Sequence, residues 1–293
     1  MSFSFDPSPI SLGCMNLAPS NPKSIQSIQA ALAGGITCFD TADLYHQGEN
    51  EKMLGEALGS KKYDVTIVSK GGNDWTGEGD GWNWNPKPEY LSQALDNSLR
   101  RLNRDYLDVY LLHGGTIEDP IEAVIDFMET SVQAGKIRAY GISSIRPNVI
   151  RKWARLSNMS VVMTQYGILD RRGEEEVLPL LEAAGIGVMA RGVLGKGYLL
   201  GKEAEEYLGH PKDRIVRIQR QFGELCSSQS ISLLNAATSF SLQESAVKTA
   251  VLGASRLSQV QKHLKLLSDP QFPHYWTPQM KGAFPVDTYQ NHR

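Results

Sequence analysis

The feature that most restricts the fold of this chain is a regular alternation between short, apolar, β-rich runs and longer amphipathic segments. Runs of strand length occupy 10–15 (ISLGCM), 36–40 (ITCFD), 64–69 (DVTIVS), 107–112 (LDVYLL), 137–142 (IRAYGI), 160–165 (SVVMTQ), 186–190 (IGVMA) and 249–252 (TAVL). Between them lie helix patterns with identifiable ends. Asn21 and Pro22 can cap and start a helix whose Ile25, Ile28 and Leu32 share a face, and Gly34-Gly35 can stop it. Pro88 opens a second, with Leu91, Leu95, Leu99 and Leu102 on one stripe, and Pro120 a third that ends at Gly135. Such alternation calls for parallel strands joined by crossover helices. Eight units, with no GxGxxG after the first strand, predict the α/β class and a single (β/α)8 TIM barrel over residues 1–293 rather than an open doubly wound sheet. The expected active site lies at the C-terminal face of the strands.

A length of 293 residues with 41% hydrophobic residues is compatible with one barrel domain. The 30 basic and 32 acidic residues are well mixed, giving a net charge of -2 and no sustained basic stripe. A small-molecule ligand is therefore expected, with no nucleic-acid partner; the sequence sets no oligomeric state. Cys14, Cys38 and Cys226 have no CxxC spacing, and two of them fall inside predicted strands, so all three are expected as reduced core residues. No stretch approaches 18 uninterrupted apolar residues, and the first residues lack a basic flank followed by an apolar core. A soluble, cytoplasmic protein without membrane contact is the expectation.

Polar residues recur at or just beyond the strand ends: Asp40 with Tyr45, Lys70, His113, Ser143 with Ser144, Gln165 and Arg191. Each has an ordinary structural explanation by itself, as a turn former, a solvated charge or a satisfied histidine. An acid, a phenol, an amine and an imidazole on successive strand ends are harder to assign to turns. A tyrosine with its usual pKa of about 10 donates a proton poorly unless assisted. A neighbouring ammonium is expected to lower that pKa, a carboxylate to hold the ammonium, and an imidazole to hydrogen-bond a substrate oxygen. This is equipment for reducing a carbonyl, provided a hydride donor lies against the carbon.

The chain resembles the aldo-keto reductases, in particular a bacterial subgroup with few assigned substrates. The resemblance is carried by FDTADLY (39–45), GEALG (55–59), SKGG (69–72), SLRRLNRDYLDVYLLHG (98–114), GKIRAYGISS (135–144), QYGILDRR (165–172) and GASRLSQV (253–260), in family order. It implies NADP(H), preferred over NAD(H), and reduction of aldehydes or ketones to alcohols. Tyr45 is implied as general acid, Lys70 and Asp40 as the groups that tune it, and His113 as the group that orients the carbonyl. Ser143, Ser144 and Gln165 are implied at the nicotinamide carboxamide, although Ser144 stands where the family commonly has Asn. Arg191 replaces the aromatic residue that many members stack on the nicotinamide.

The segment ARGVLGKGYLLGK (190–202) resembles the family loop over the cofactor pyrophosphate, which adds Gly192, Leu194, Lys196 and Gly197 to the expected contacts. Gly253, Ser255, Arg256 and Gln259 open a predicted helix whose N-terminus suits an anion, here the 2′-phosphate of NADPH. Trp75, Trp82 and Trp84 crowd one rim segment, either walling an apolar pocket or packing the segment onto the barrel. That segment holds no arginine, so neutral or aromatic aldehydes are expected. Two rival readings are a metal-dependent barrel hydrolase and a non-catalytic nucleotide-sensing subunit. The six histidines include no HxH or HxxxH pair, so no metal is expected, and intact Asp40, Tyr45, Lys70 and His113 favour catalysis over sensing alone.

Overall fold

The computed structural model describes residues 5–75 and 81–293. Its barrel strands and helices follow one another as β1 (Ile10–Gly13), α1 (Pro22–Ala33), β2 (Cys38–Asp40), α2 (Glu49–Leu58), β3 (Thr66–Gly71), α3 (Pro88–Leu102), β4 (Leu107–Leu112) and α4 (Ile121–Gln133). The second half continues as β5 (Ile137–Ser143), α5 (Pro147–Leu156), β6 (Val161–Gln165), α6 (Val177–Ala183) and β7 (Gly187–Arg191). Two helices, α7 (Lys212–Ser228) and α8 (Leu233–Ser241), separate β7 from β8 (Val247–Gly253), after which come α9 (Leu257–Leu267) and the short α10 (Pro278–Gly282). All eight strands pair in parallel with their neighbours in chain order, and β8 closes on β1 through Ile10↔Ala250 to Gly13↔Gly253. The chain is a closed (β/α)8 barrel, as the alternation predicts.

Helix ends fall where the local chemistry places them. Asn21 accepts a hydrogen bond from the Lys23 N–H at 3.0 Å, capping α1 ahead of Pro22. Asn103 ends α3 in the left-handed conformation, with φ at 52°. Cys14, Cys38 and Cys226 are free and buried.

Alternation along the strands then decides what fills the barrel. Cys38, Val68, Val109, Leu111, Ala139, Val161, Met163 and Met189 form a compact interior cluster. The outward residues pack beneath the helices in a larger apolar layer that includes Ile10, Phe39, Ile67, Tyr110 and Val188. Because successive side chains alternate faces, a residue two positions beyond an interior one also points inward, one layer nearer the strand's end. Cys38 thus leads to Asp40, Val68 to Lys70, Leu111 to His113, Met163 to Gln165 and Met189 to Arg191. Register sets Gln165 opposite Arg191, whereas Lys70 lies opposite Leu111, one layer below His113. The apolar interior therefore ends in a polar floor at the C-terminal face.

Candidate active site

That floor is the bottom of an open cavity of about 1950 Å³, whose lining includes Asp40, Tyr45, His113, Ser143, Ser144 and Gln165. At its centre the Lys70 ammonium lies 2.6 Å from Asp40 Oδ1, and neither side chain is more than 6% exposed. Lys70 Nζ also donates to the Thr41 carbonyl at 2.7 Å and to the Tyr45 hydroxyl oxygen at 3.3 Å. These three contacts match the three donors of an ammonium. Since Lys70 only donates, the Tyr45 hydroxyl accepts from it and keeps its own proton for another partner.

Tyr45 reaches this position from the turn after β2, which the Asp43 N–H ties to the Lys70 carbonyl at 3.1 Å. His46 and Gln47, directly after it, are both left-handed, with φ at 50° and 53°. Left-handed backbone costs a non-glycine residue about 1–2 kcal/mol, so packing holds the turn against local preference. His113 completes the group, its ring edge-on to the phenol at a centroid distance of 5.9 Å.

The electrostatics differ in one respect from expectation. Lys70 does pull the Tyr45 pKa downward, as anticipated, but burial and the nearby Asp40 carboxylate outweigh it, and the phenol sits above its ordinary value. Tyr45 is therefore protonated at neutral pH. Burial also pushes the Asp40 carboxyl up, with Lys70 opposing. Burial works to lower the Lys70 pKa, but Asp40 and Tyr45 prevail and hold it above its ordinary value. Burial, together with Lys70 and Arg191, drives the His113 imidazole down to about 3, so the ring is neutral.

Beside this group the Gln165 amide is held from both ends. Arg191 donates to its Oε1 at 2.8 Å, and its Nε2 donates to the Tyr207 hydroxyl at 2.8 Å. One amide proton and one oxygen lone pair stay available to a ligand. Tyr207 was not among the residues singled out from sequence. It lies in the irregular 192–212 segment, where no periodicity marks it. Gly192 is left-handed at φ 74°, and a Cβ there would come within 2.0 Å of Gln165 Nε2, so only glycine fits. Gly192, Leu194, Lys196 and Gly197 all line the cavity, with Lys196 left-handed at φ 55° and Gly197 at 93°.

Ser143 is half-buried and faces the cavity, whereas the Ser144 hydroxyl accepts the Arg146 N–H at 3.2 Å. At the far end, Gly253, Arg256 and Gln259 line the cavity together with Lys262. Ser255 does not line it: its N–H and hydroxyl both meet Gln259 Oε1, at 2.8 and 3.1 Å. The tryptophans divide. Trp84 donates to Asp119 at 2.8 Å and its ring lies close to Gly72 and Gly114, packing the segment onto the barrel. Trp82 is 54% exposed and lines the cavity, and Trp75 is half-buried. Residues 76–80 of this segment lie outside the described residues.

Among the described residues, no three His, Cys, Asp or Glu side chains are grouped to hold a metal ion. No described helix is long and apolar enough to cross a membrane.

The family model for the aldo/keto reductases matches residues 9–282. The uncharacterized oxidoreductase YqkF of Bacillus subtilis is 35% identical over 297 residues, spanning 98% of this chain and 96% of its own length. The holo form of aldo-keto reductase AKR11C1 from Bacillus halodurans superposes with a TM-score of 0.87 at 35% identity, covering 100% of this chain and 98% of that one. The NADH-specific methylglyoxal reductase of Escherichia coli is 28% identical and covers 83% of this chain and 82% of its own. With the closed barrel and its polar floor, these similarities show that the chain is an oxidoreductase belonging to the aldo/keto reductase family.

Proposed function

We propose that this protein is an NADPH-dependent carbonyl reductase in which Tyr45 is the proton donor. The observation that carries this reading is the contact of Lys70 with Asp40, Thr41 and Tyr45 at the floor of the cavity, which leaves a protonated phenol free to donate. The residues around the floor suit a nicotinamide dinucleotide. Gln165 offers an amide to a carboxamide, the left-handed backbone at Gly192 and Gly197 permits close approach, and Lys196 supplies a cation for phosphate. The cavity exceeds the roughly 300–1,000 Å³ typical of a single small-ligand pocket, which leaves room for a cofactor and a substrate together.

When bound, the reduced nicotinamide supplies a hydride to the carbonyl carbon. The carbon–oxygen π pair moves onto oxygen, and Tyr45 gives that oxygen its phenolic proton, so the product is an alcohol and a proton from solvent restores the phenol. Neutral His113 donates a hydrogen bond to the same oxygen and fixes its approach. Lys70 stabilises the charge that Tyr45 acquires during transfer, and Asp40 keeps Lys70 in position.

The preference for NADPH rests on Arg256 at the N-cap of α9, where a guanidinium can grip a 2′-phosphate, with Lys262 farther along the same helix adding positive charge. The central test is Tyr45→Phe with an aldehyde panel and NADPH. Loss of general acid catalysis should lower kcat by about 10² to 10⁴-fold while NADPH affinity stays near wild type. A Phe variant with wild-type turnover refutes the assignment, and a wild type that binds NADPH without reducing any carbonyl favours a sensing role.

A further inference from the structure

Among the described residues, seven lysine and arginine side chains and two aspartates line the cavity, and most of these charges already have an assignment. Of the acids, Asp40 is paired with Lys70, and Asp287 with Arg214 at 2.6 Å. Of the cations, Arg172 is paired with Asp170 at 2.7 Å, and Arg191 is bonded to Gln165. Lys196 and Lys202 follow β7, whereas Arg256 and Lys262 follow β8, the side given above to the cofactor phosphates. Arg146 is left.

Arg146 stands between β5 and α5 and is partly buried. Its Nη1 donates to the carbonyl oxygen of Gly115, which anchors the guanidinium beside the turn that carries His113. Among the described residues no carboxylate lies within ion-pair distance of it, and Asp119, four residues beyond Gly115, is occupied by Trp84 and Thr116. In an eight-stranded ring in chain order, the gap between β4 and β5 is diametrically opposite the gap between β8 and β1. Arg146 is thus on the opposite side of the mouth from Arg256 and cannot share its phosphate. Exposed Trp82 and Ile145 line the cavity with it and supply apolar surface.

We infer that Arg146 is a specificity-determining residue that binds an anionic group on the substrate, so that the preferred carbonyl compounds are oxo acids with a carboxylate remote from the reacting carbonyl. This inference rests on the carbonyl-reductase reading. Gly115 is two residues beyond His113, a backbone span of at most about 7 Å, so the guanidinium and the imidazole are held at separate backbone positions and the anion is bound apart from the reacting oxygen. A carboxylate next to the carbonyl is too close; one across an aromatic ring or a short alkyl chain fits. The sequence expectation of neutral aldehydes followed from the absence of arginine in the tryptophan segment. The structure brings one in from a different loop.

The test compares 4-carboxybenzaldehyde with benzaldehyde, which differ by one para carboxylate. Wild-type kcat/KM should favour the acid by at least ten times, through KM, and Arg146→Gln should abolish that ratio while Arg146→Lys retains part of it. A tenfold preference corresponds to about 1.4 kcal/mol, within the reach of one charge-assisted hydrogen bond. A wild-type ratio near one, or a ratio unchanged in Arg146→Gln, overturns the inference. Calorimetric titration of 4-carboxybenzoate onto the NADP-bound chain separates the two readings. Arg146-dependent binding without turnover of either aldehyde refutes the reductase and keeps the anion site, whereas turnover with binding indifferent to Arg146 does the reverse. A circular-dichroism melt of each variant identifies loss of fold, in which case Arg146→Lys and the wild-type ratio decide.

Discussion

Replacing Lys70 by methionine separates the structural from the chemical work of the floor. Methionine is nearly isosteric but cannot donate to Asp40, Thr41 or Tyr45. With Lys70 fully buried and Asp40 only 6% exposed, the pair belongs to the buried regime, where removing one partner costs about 3–5 kcal/mol, rather than the 0–1 kcal/mol of a surface pair. At about 2–4 °C per kcal/mol for a large domain, the melting midpoint should fall by roughly 6–20 °C. The loss should also depend on pH. Burial already raises the Asp40 pKa, and Lys70 is the main group pulling it back, so the variant raises it further. The folded state then keeps a proton that the unfolded chain releases near pH 4, and stability falls by about 1.4 kcal/mol per pH unit between those two pKa values. Lys70→Met should therefore be closer to wild type at pH 5 than at pH 8. Adding Asp40→Asn removes the orphaned acid and should restore more than half of the lost stability, without restoring turnover. Urea denaturation of the four proteins of this cycle at both pH values is the assay. A single variant with an unchanged midpoint, or a deficit that does not vary with pH, refutes the reasoning.

Two other outcomes follow from the same geometry. Because the His113 imidazole is held down to about 3, it stays neutral between pH 5 and 9, and the kcat/KM profile should show no break near pH 6.5 from this ring; a break there that vanishes in His113→Ala would contradict its neutrality. Arg256→Ala should weaken NADPH binding by more than about ten times while barely changing NADH, since only the former carries the extra phosphate; equal losses by fluorescence titration would remove Arg256 from the site.

The parts legible in sequence are those governed by strand alternation. Asp40, Lys70, His113, Gln165 and Arg191 each lie two residues beyond an apolar interior residue, so a period of two was enough to aim them at one floor. Residues supplied by irregular backbone were not legible in this way. Tyr207 holds Gln165 from a loop 42 residues away, and Arg146 enters beside Gly115 across 31 residues. Neither has a periodic neighbour to reveal its direction. Ser255 illustrates a different limit: its place before a helix was readable, but its engagement by Gln259 was not, because the backbone N–H could equally have met an external anion.

The replacement of a stacking aromatic by Arg191 bears on the charge balance of the proposed reaction. Its guanidinium acts on Asp40, Tyr45 and His113, lowering the pKa of each, while it is fixed by its hydrogen bond to Gln165. Asp40 can offset only one of the two cations, Lys70 and Arg191, so with Tyr45 and His113 neutral the floor carries at least one positive charge in excess. An oxygen that gains negative charge during hydride addition would then be stabilised by a fixed field, and the cost of orienting that field is met when the chain folds. The same excess disfavours a protonated imidazole, which in the proposed reaction keeps His113 a hydrogen-bond donor and leaves the proton transfer to Tyr45. An aromatic residue at this position would stack but add no charge, so Arg191 would join the amide expected at the nicotinamide to the proposed acid, Tyr45.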